Sequence, residues 1–312
     1  IDIDQHEAVG VILNLAAEAV FVSSAQIHDR DGNKVAEVVA DLIENMIQHY
    51  GITMDKVLGI GLGVPGTVDK KSGIVLFAPN LGWKDFPIIH RLKDNFKVPI
   101  LLENEARATG IAEYWVGLAK QWQSFVCINI RTGVGSGIFI NGEVYTGARG
   151  TAGEVGHSTV AHDGPLCSCG NYGCLEAMVS TPALVRRYEK RLNLGGGATL
   201  QQIITRYKKG DETAREILEE TGVYIGIGIA NIINILNPSS IILGGDIIAY
   251  GHLILDIIKD TVRKRALEAA ANNTEVFISR LGFVGPAIGA GAIVLKKAFS
   301  FLDGEVQFKK TL

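Results

Sequence analysis

Apolar residues along this chain recur with two different spacings. From 34 to 49, Val35, Val38, Val39, Leu42, Ile43 and Met46 fall on one side of a helix. Helical spacing returns at 105–117, 181–191, 199–208, 211–236 and 289–302. Between these lie short apolar runs bounded by turn residues, at 9–15, 19–22, 57–64, 99–102, 124–130 and 240–243, which predict strands. Pro65-Gly66 ends one of them, and Asn141-Gly142 sits between two apolar runs as a hairpin signal. Alternating strands and helices predict an α/β protein of two domains, residues 1–117 and 118–288. The last helix, about 289–312, is expected to pack back on the first domain.

Composition narrows the function classes. With 312 residues, 47% of them hydrophobic and 20% charged, the chain is long enough for two cores of ordinary density. A net charge of -3 argues against a nucleic-acid surface within these residues. The longest apolar run, 225–236, is broken by Asn231 and Asn234 and predicts a buried helix rather than a membrane span. The opening Ile1-Asp2-Ile3-Asp4 has no signal-peptide pattern and no initiator Met, so a preceding segment is expected. Of four cysteines, three crowd between 167 and 174, which fits a metal site in a reducing, cytoplasmic setting better than a disulfide framework.

Cys167, Cys169 and Cys174, with His157 ten residues before the first, offer three thiolates and one imidazole. A closed tetrahedral structural Zn2+ site takes that set and leaves no position for water. The competing reading, three bare thiols in one loop, would be an oxidation liability.

Here the sequence resembles a known family. Gly153-Glu154-Val155-Gly156-His157, followed by the run from Gly164 through Cys167-Ser168-Cys169-Gly170 to Cys174-Leu175-Glu176, is similar to the signature of the ROK family of sugar kinases and sugar-responsive repressors. Gly61 to Gly66, Asn80-Leu81-Gly82-Trp83, Glu103-Asn104-Glu105-Ala106 and Thr132 to Gly137 match in family order. The resemblance implies an actin-like, ribonuclease H-like duplicated fold with an interdomain cleft, and usually a homodimer. It also implies that Gly66, Asn80, Asn104, Glu105, Glu154, His157 and Glu176 contact a sugar. For Glu103 a solvated charge and a ligand contact stand equal.

Phosphoryl transfer from ATP needs backbone N–H groups on a glycine turn and a base beside the sugar hydroxyl. Family kinases end the first strand in Asp-x-Gly-Gly-Thr, where this chain has Asp2-Ile3-Asp4-Gln5-His6-Glu7. Without glycine the backbone cannot approach a triphosphate closely. Each like-charge contact at ~4 Å would cost about 4 kcal/mol at an effective dielectric of 20. Arg131 and Ser136 replace glycines of the second phosphate loop, whereas Gly244-Gly245-Asp246 keeps the nucleotide-side turn. Glu105 stands where kinases carry the catalytic Asp, one methylene too long, and Glu-Asn-Glu-Ala is similar to the xylose-repressor branch. Arg107 replaces a common Asn, and the resemblance gives it no role.

These features predict the sugar-binding effector domain of a repressor, its operator DNA read through a helix-turn-helix not in this chain. The alternatives are an ATP-dependent hexose kinase and a scaffold that only binds other proteins.

Overall fold

Asp2–Ile3 (β1) runs into a tight turn at residues 4–6 and returns as Glu7–Leu13 (β2), closed by the Asp4 N–H donating to the Glu7 carbonyl at 2.9 Å. Ala19–Gln26 (β3) pairs antiparallel with β2. The computed structural model describes residues 1–309, with side chains to residue 299; residues 310–312 of the predicted last helix lie outside the described residues.

Helix α1, Gly32–Tyr50, starts two residues before the apolar spacing does, because the Asp31 carboxylate caps the N–H groups of Asn33 and Lys34. Gly51, at φ 78°, ends it. Ile60–Val64 (β4) follows, every residue buried, then a small antiparallel sheet of Thr67–Asp69 (β5), Ile74–Ala78 (β6) and Trp83–Phe86 (β7). Ile88–Lys93 (α2), Ile100–Asn104 (β8) and Glu105–Trp115 (α3) complete this stretch. The main sheet has the order β3-β2-β1-β4-β8, a three-stranded meander followed by two parallel strands.

A second unit then repeats the plan. Phe125–Ile130 (β9), Val134–Ile140 (β10) and Glu143–Val144 (β11) form a meander, with Asn141 and Gly142 both at positive φ in its turn. Four helices follow: Leu175–Val179 (α4), Thr181–Arg191 (α5), Leu200–Lys208 (α6) and Glu212–Leu236 (α7). Ser240–Gly245 (β12), Gly251–Arg265 (α8), Glu268–Ala271 (α9) and Glu275–Ile278 (β13) close the unit. The sheet order is β11-β10-β9-β12-β13, again a meander plus two parallel strands. Val126, Ile128, Ile241 and Leu243 pack with Ile225, Ile229 and Ile233 of α7 in its core.

The final helix, Gly285–Lys309 (α10), belongs to the first unit, as does the segment Thr146–Thr151. A Cβ on Gly289 would lie 1.7 Å from the Ala108 carbonyl oxygen of α3, and one on Gly61 would lie 1.7 Å from that of Ala290. Glycine at both crossings lets α10 touch α3 and β4 backbone to backbone. Residues 225–236 form a largely buried part of α7, as expected, but they are not the longest apolar stretch. Among the described residues, Gly282–Phe299 is the stretch long and apolar enough to cross a membrane by composition, and half of it is buried within the fold. Its small residues and the pair Lys296-Lys297 hide it beside the denser isoleucines of 225–236, of which Ile235 is 79% exposed.

Candidate functional site

Two groups of polar residues stand out, one in each unit. In the first unit, β8 delivers Asn104 to the N-cap of α3. Its Oδ1 accepts from the N–H groups of Ala106 (3.0 Å) and Arg107 (3.1 Å), and its Nδ2 donates to the Gly66 carbonyl at 2.9 Å. These bonds fix which side of the amide is oxygen and engage one of its two N–H groups. Gly66 is at φ 86°, and its neighbours are Phe77 and Ala78, just before the turn that carries Asn80. Glu105 is the first residue of α3 and half-buried.

Glu103 is not a solvated charge. Only 2% exposed, it accepts from Lys70 Nζ at 2.7 Å, from Arg107 Nε at 2.9 Å and from the Asn104 N–H at 3.0 Å. Arg107, itself 4% exposed, also donates from Nη1 to the Gly150 carbonyl at 2.7 Å. Both residues were open questions in the sequence. The i,i+4 spacing of Glu103 and Arg107 was visible there, but the strand-to-helix change between them hid its meaning.

The β1–β2 turn carries Asp4 and Glu7 with no glycine, and the Gln5 N–H donates to Asp4 Oδ1 at 2.6 Å. Its counterpart between β9 and β10 is closed by the Arg131 N–H on the Gly133 carbonyl (2.9 Å). Nearby, Thr181 Oγ1 donates to Asp246 Oδ2 at 2.6 Å.

In the second unit the ligand atoms of His157, Cys167, Cys169 and Cys174 all lie within 4.8 Å of one another. Cys169 and Cys174 sulfurs are 3.7 Å apart, as are Cys167 Sγ and His157 Nδ1. A tetrahedron of thiolates around Zn2+ has S···S edges of about 3.8 Å, so the donor set fits that ion. Tight turns bring it together. The Cys167 N–H donates to the Asn171 carbonyl, and Gly173, at φ 65°, passes so close to Ala161 that a Cβ would lie 1.6 Å from its carbonyl oxygen. Burial pushes the Cys174 thiol up to about 12, while a backbone N–H from Asn171 lowers that of Cys169. A bound divalent ion would deprotonate both.

Cys174 leads directly into α4, and so places Glu176 in its first turn. Glu176 Oε2 accepts from the Val134 N–H (3.1 Å) and Oε1 from Ser168 Oγ (2.9 Å), a tie between β10 and the cysteine loop that the sequence did not announce. His157 turns Nδ1 to the sulfurs and Nε2 toward Glu154 Oε2 at 4.0 Å, with Glu154 52% exposed.

Known proteins match along the same span. A xylose repressor from Caldicellulosiruptor bescii is 33% identical over 303 residues, covering 93% of this chain and 76% of the repressor. A glucokinase from Halalkalibacterium halodurans is 31% identical over 306 residues, covering 94% of this chain and 93% of the enzyme. Among solved structures, a ROK family glucokinase from Streptomyces griseus in complex with glucose and AMPPNP superposes with a TM-score of 0.84 at 27% identity, over 94% of this chain and 97% of that one. The repeated sheet is that of the actin-like fold which such neighbours share. The ROK family model matches residues 1–297, through both sheets, the cysteine loop and about half of the last helix; this protein is a member of the ROK family.

Proposed function

We propose that this chain is the sugar-sensing part of a transcriptional repressor rather than a kinase, and that Gly66, Asn80, Asn104, Glu105, Glu154, His157 and Glu176 supply its sugar contacts. The observation that carries the reading is the β1–β2 turn. A glycine turn could offer free N–H groups to phosphates, but here the backbone is closed on itself and flanked by Asp4 and Glu7. Arg131 in the companion turn weakens the second phosphate loop without deciding the matter. The xylose repressor relative supports the regulatory class, and the remaining quarter of its length leaves room for a DNA-binding segment outside these residues.

His157, Cys167, Cys169 and Cys174 would hold a structural Zn2+, which would fix the segments beside it that carry Glu154 and Glu176. Acceptor carboxylates and the second Asn104 N–H suit vicinal hydroxyls. In a cytoplasmic homodimer, sugar and operator would bind in linkage, each changing the affinity of the other by one factor. Half-sites about 34 Å apart make such a dimer sensitive to small changes in subunit geometry.

Titration calorimetry with D-xylose, D-glucose and N-acetyl-D-glucosamine is expected to show one sugar bound per chain, weakened by Glu154→Ala. A coupled assay with ATP and Mg2+ is expected to stay at background. Turnover near 1–100 s⁻¹ would establish the second reading, a hexose kinase, which the glucokinase relative and the intact Gly244-Gly245-Asp246 turn favour.

A further inference from the structure

Thr146–Thr151 belongs to no helix or strand, yet it groups with the first unit although its flanking residues group with the second. Arg107 supplies a hydrogen bond that ties this strap to α3, from Nη1 to the Gly150 carbonyl at 2.7 Å. Three residues further on, the Gly153 carbonyl accepts from both the backbone N–H (3.1 Å) and the Oγ (2.9 Å) of Ser136 on β10, and Glu154 comes next.

Arg107 is unusual in its own right. A guanidinium 4% exposed is costly to bury, and this one is compensated by a carboxylate that is 2% exposed. A planar fork can serve Glu103 and Gly150 at once, whereas an ammonium is a point charge on a flexible stem. The same Glu103 oxygen that takes Arg107 Nε also takes the Asn104 N–H.

From this we infer that Arg107 is a positioning residue for sugar binding: one buried guanidinium sets the start of α3, where Asn104 and Glu105 stand, and fastens the strap to it at Gly150. It touches no ligand itself. The inference rests on the sugar-binding reading for its consequence, and on geometry alone for the anchoring.

Arg107→Lys separates this from a merely structural role, since it keeps the charge beside Glu103 and gives up the fork. Arg149 is exposed and offers trypsin a bond within the strap, Arg149–Gly150. Native-state cleavage there is expected to speed up at least about tenfold in Arg107→Lys, the loss of one hydrogen bond from a charged donor, while the melting temperature stays close to that of the wild type. Calorimetry with D-xylose, D-glucose and N-acetyl-D-glucosamine is expected to show the affinity for the sugar bound falling about tenfold. Unchanged cleavage at Arg149–Gly150, or unchanged sugar affinity in a variant that is cleaved faster, overturns the proposal. If Arg107→Lys folds poorly, the neutral pair Glu103→Gln/Arg107→Gln is read the same way. A wild type that binds none of the three sugars counts against the sugar reading, and cleavage at Arg149–Gly150 then decides the Arg107 assignment alone.

Discussion

The two units share a sheet plan, β3-β2-β1-β4-β8 against β11-β10-β9-β12-β13, but they fix their polar groups by different chemistry. In the first, a buried carboxylate with two cationic partners holds Asn104 and the strap. In the second, three sulfurs and an imidazole come within 4.8 Å of one another, with Glu154 three residues before His157 and Glu176 two residues after Cys174. The sheet repeats while the means of holding the loops does not, so the scaffold and the site answer to separate constraints.

Removing the metal should give the largest effect. Structural zinc supplies on the order of 10 kcal/mol in free zinc-finger peptides. Purified protein is expected to contain one zinc per chain by elemental analysis, and 1,10-phenanthroline or Cys174→Ser should lower the melting temperature by well over ten degrees, roughly the scale of several kcal/mol in a chain of this size. A chain that is zinc-free and equally stable would erase the contrast between the units.

Glu103→Ala comes next. It leaves Arg107 buried without its carboxylate, and should cost about 3–5 kcal/mol in urea unfolding. Lys70→Ala, whose side chain is 44% exposed, should cost less than about 1 kcal/mol. Equal losses from the two would mean that Arg107 does not dominate the network.

A smaller effect is expected from grafting glycines into the β1–β2 turn. Asp4→Gly/Gln5→Gly/His6→Thr removes one charge and opens backbone N–H groups, and should strengthen binding of an ATP analogue by about tenfold or less, because Glu7 and the long Glu105 remain. An analogue that binds the unmodified chain tightly would break the proposed division between sensor and kinase. Smallest of all, Asp31→Ala in one unit and Thr199→Ala in the other should each cost about 1 kcal/mol, since each side chain caps a helix by accepting from the N–H three residues on. Matching losses would sharpen the comparison by showing that the scaffolds are built alike where the sites are not.

Much of the scaffold could be seen in the sequence because local rules and tertiary structure agree there. Asn141-Gly142 makes the hairpin it signals, Thr199 and Gln202 form a full capping box, and Asn237 at φ 44° before Pro238 ends α7. The elements that escaped lack such marks. In β6, Leu76 and Phe77 are adjacent and both exposed, so no alternation betrays a strand. Helix α8 starts at Tyr250-Gly251 with no side-chain cap, and its apolar residues run nearly continuously from Leu253 to Ile258 around one Asp. In the second unit the ligand spacing alone named the cysteine group. In the first, Glu103 meets Lys70 from 33 positions away, and no local pattern carries a contact of that range.

The last helix has a consequence for how the protein is made. Helix α10 lies against α3 and β4 at glycines that leave no gap, so the first unit lacks a central piece until residues from Phe283 onward have been synthesised. The second unit is complete by Gly282. On the ribosome, the part begun first should therefore finish folding last, with the apolar faces of α3 and β4 open to chaperones in the interval.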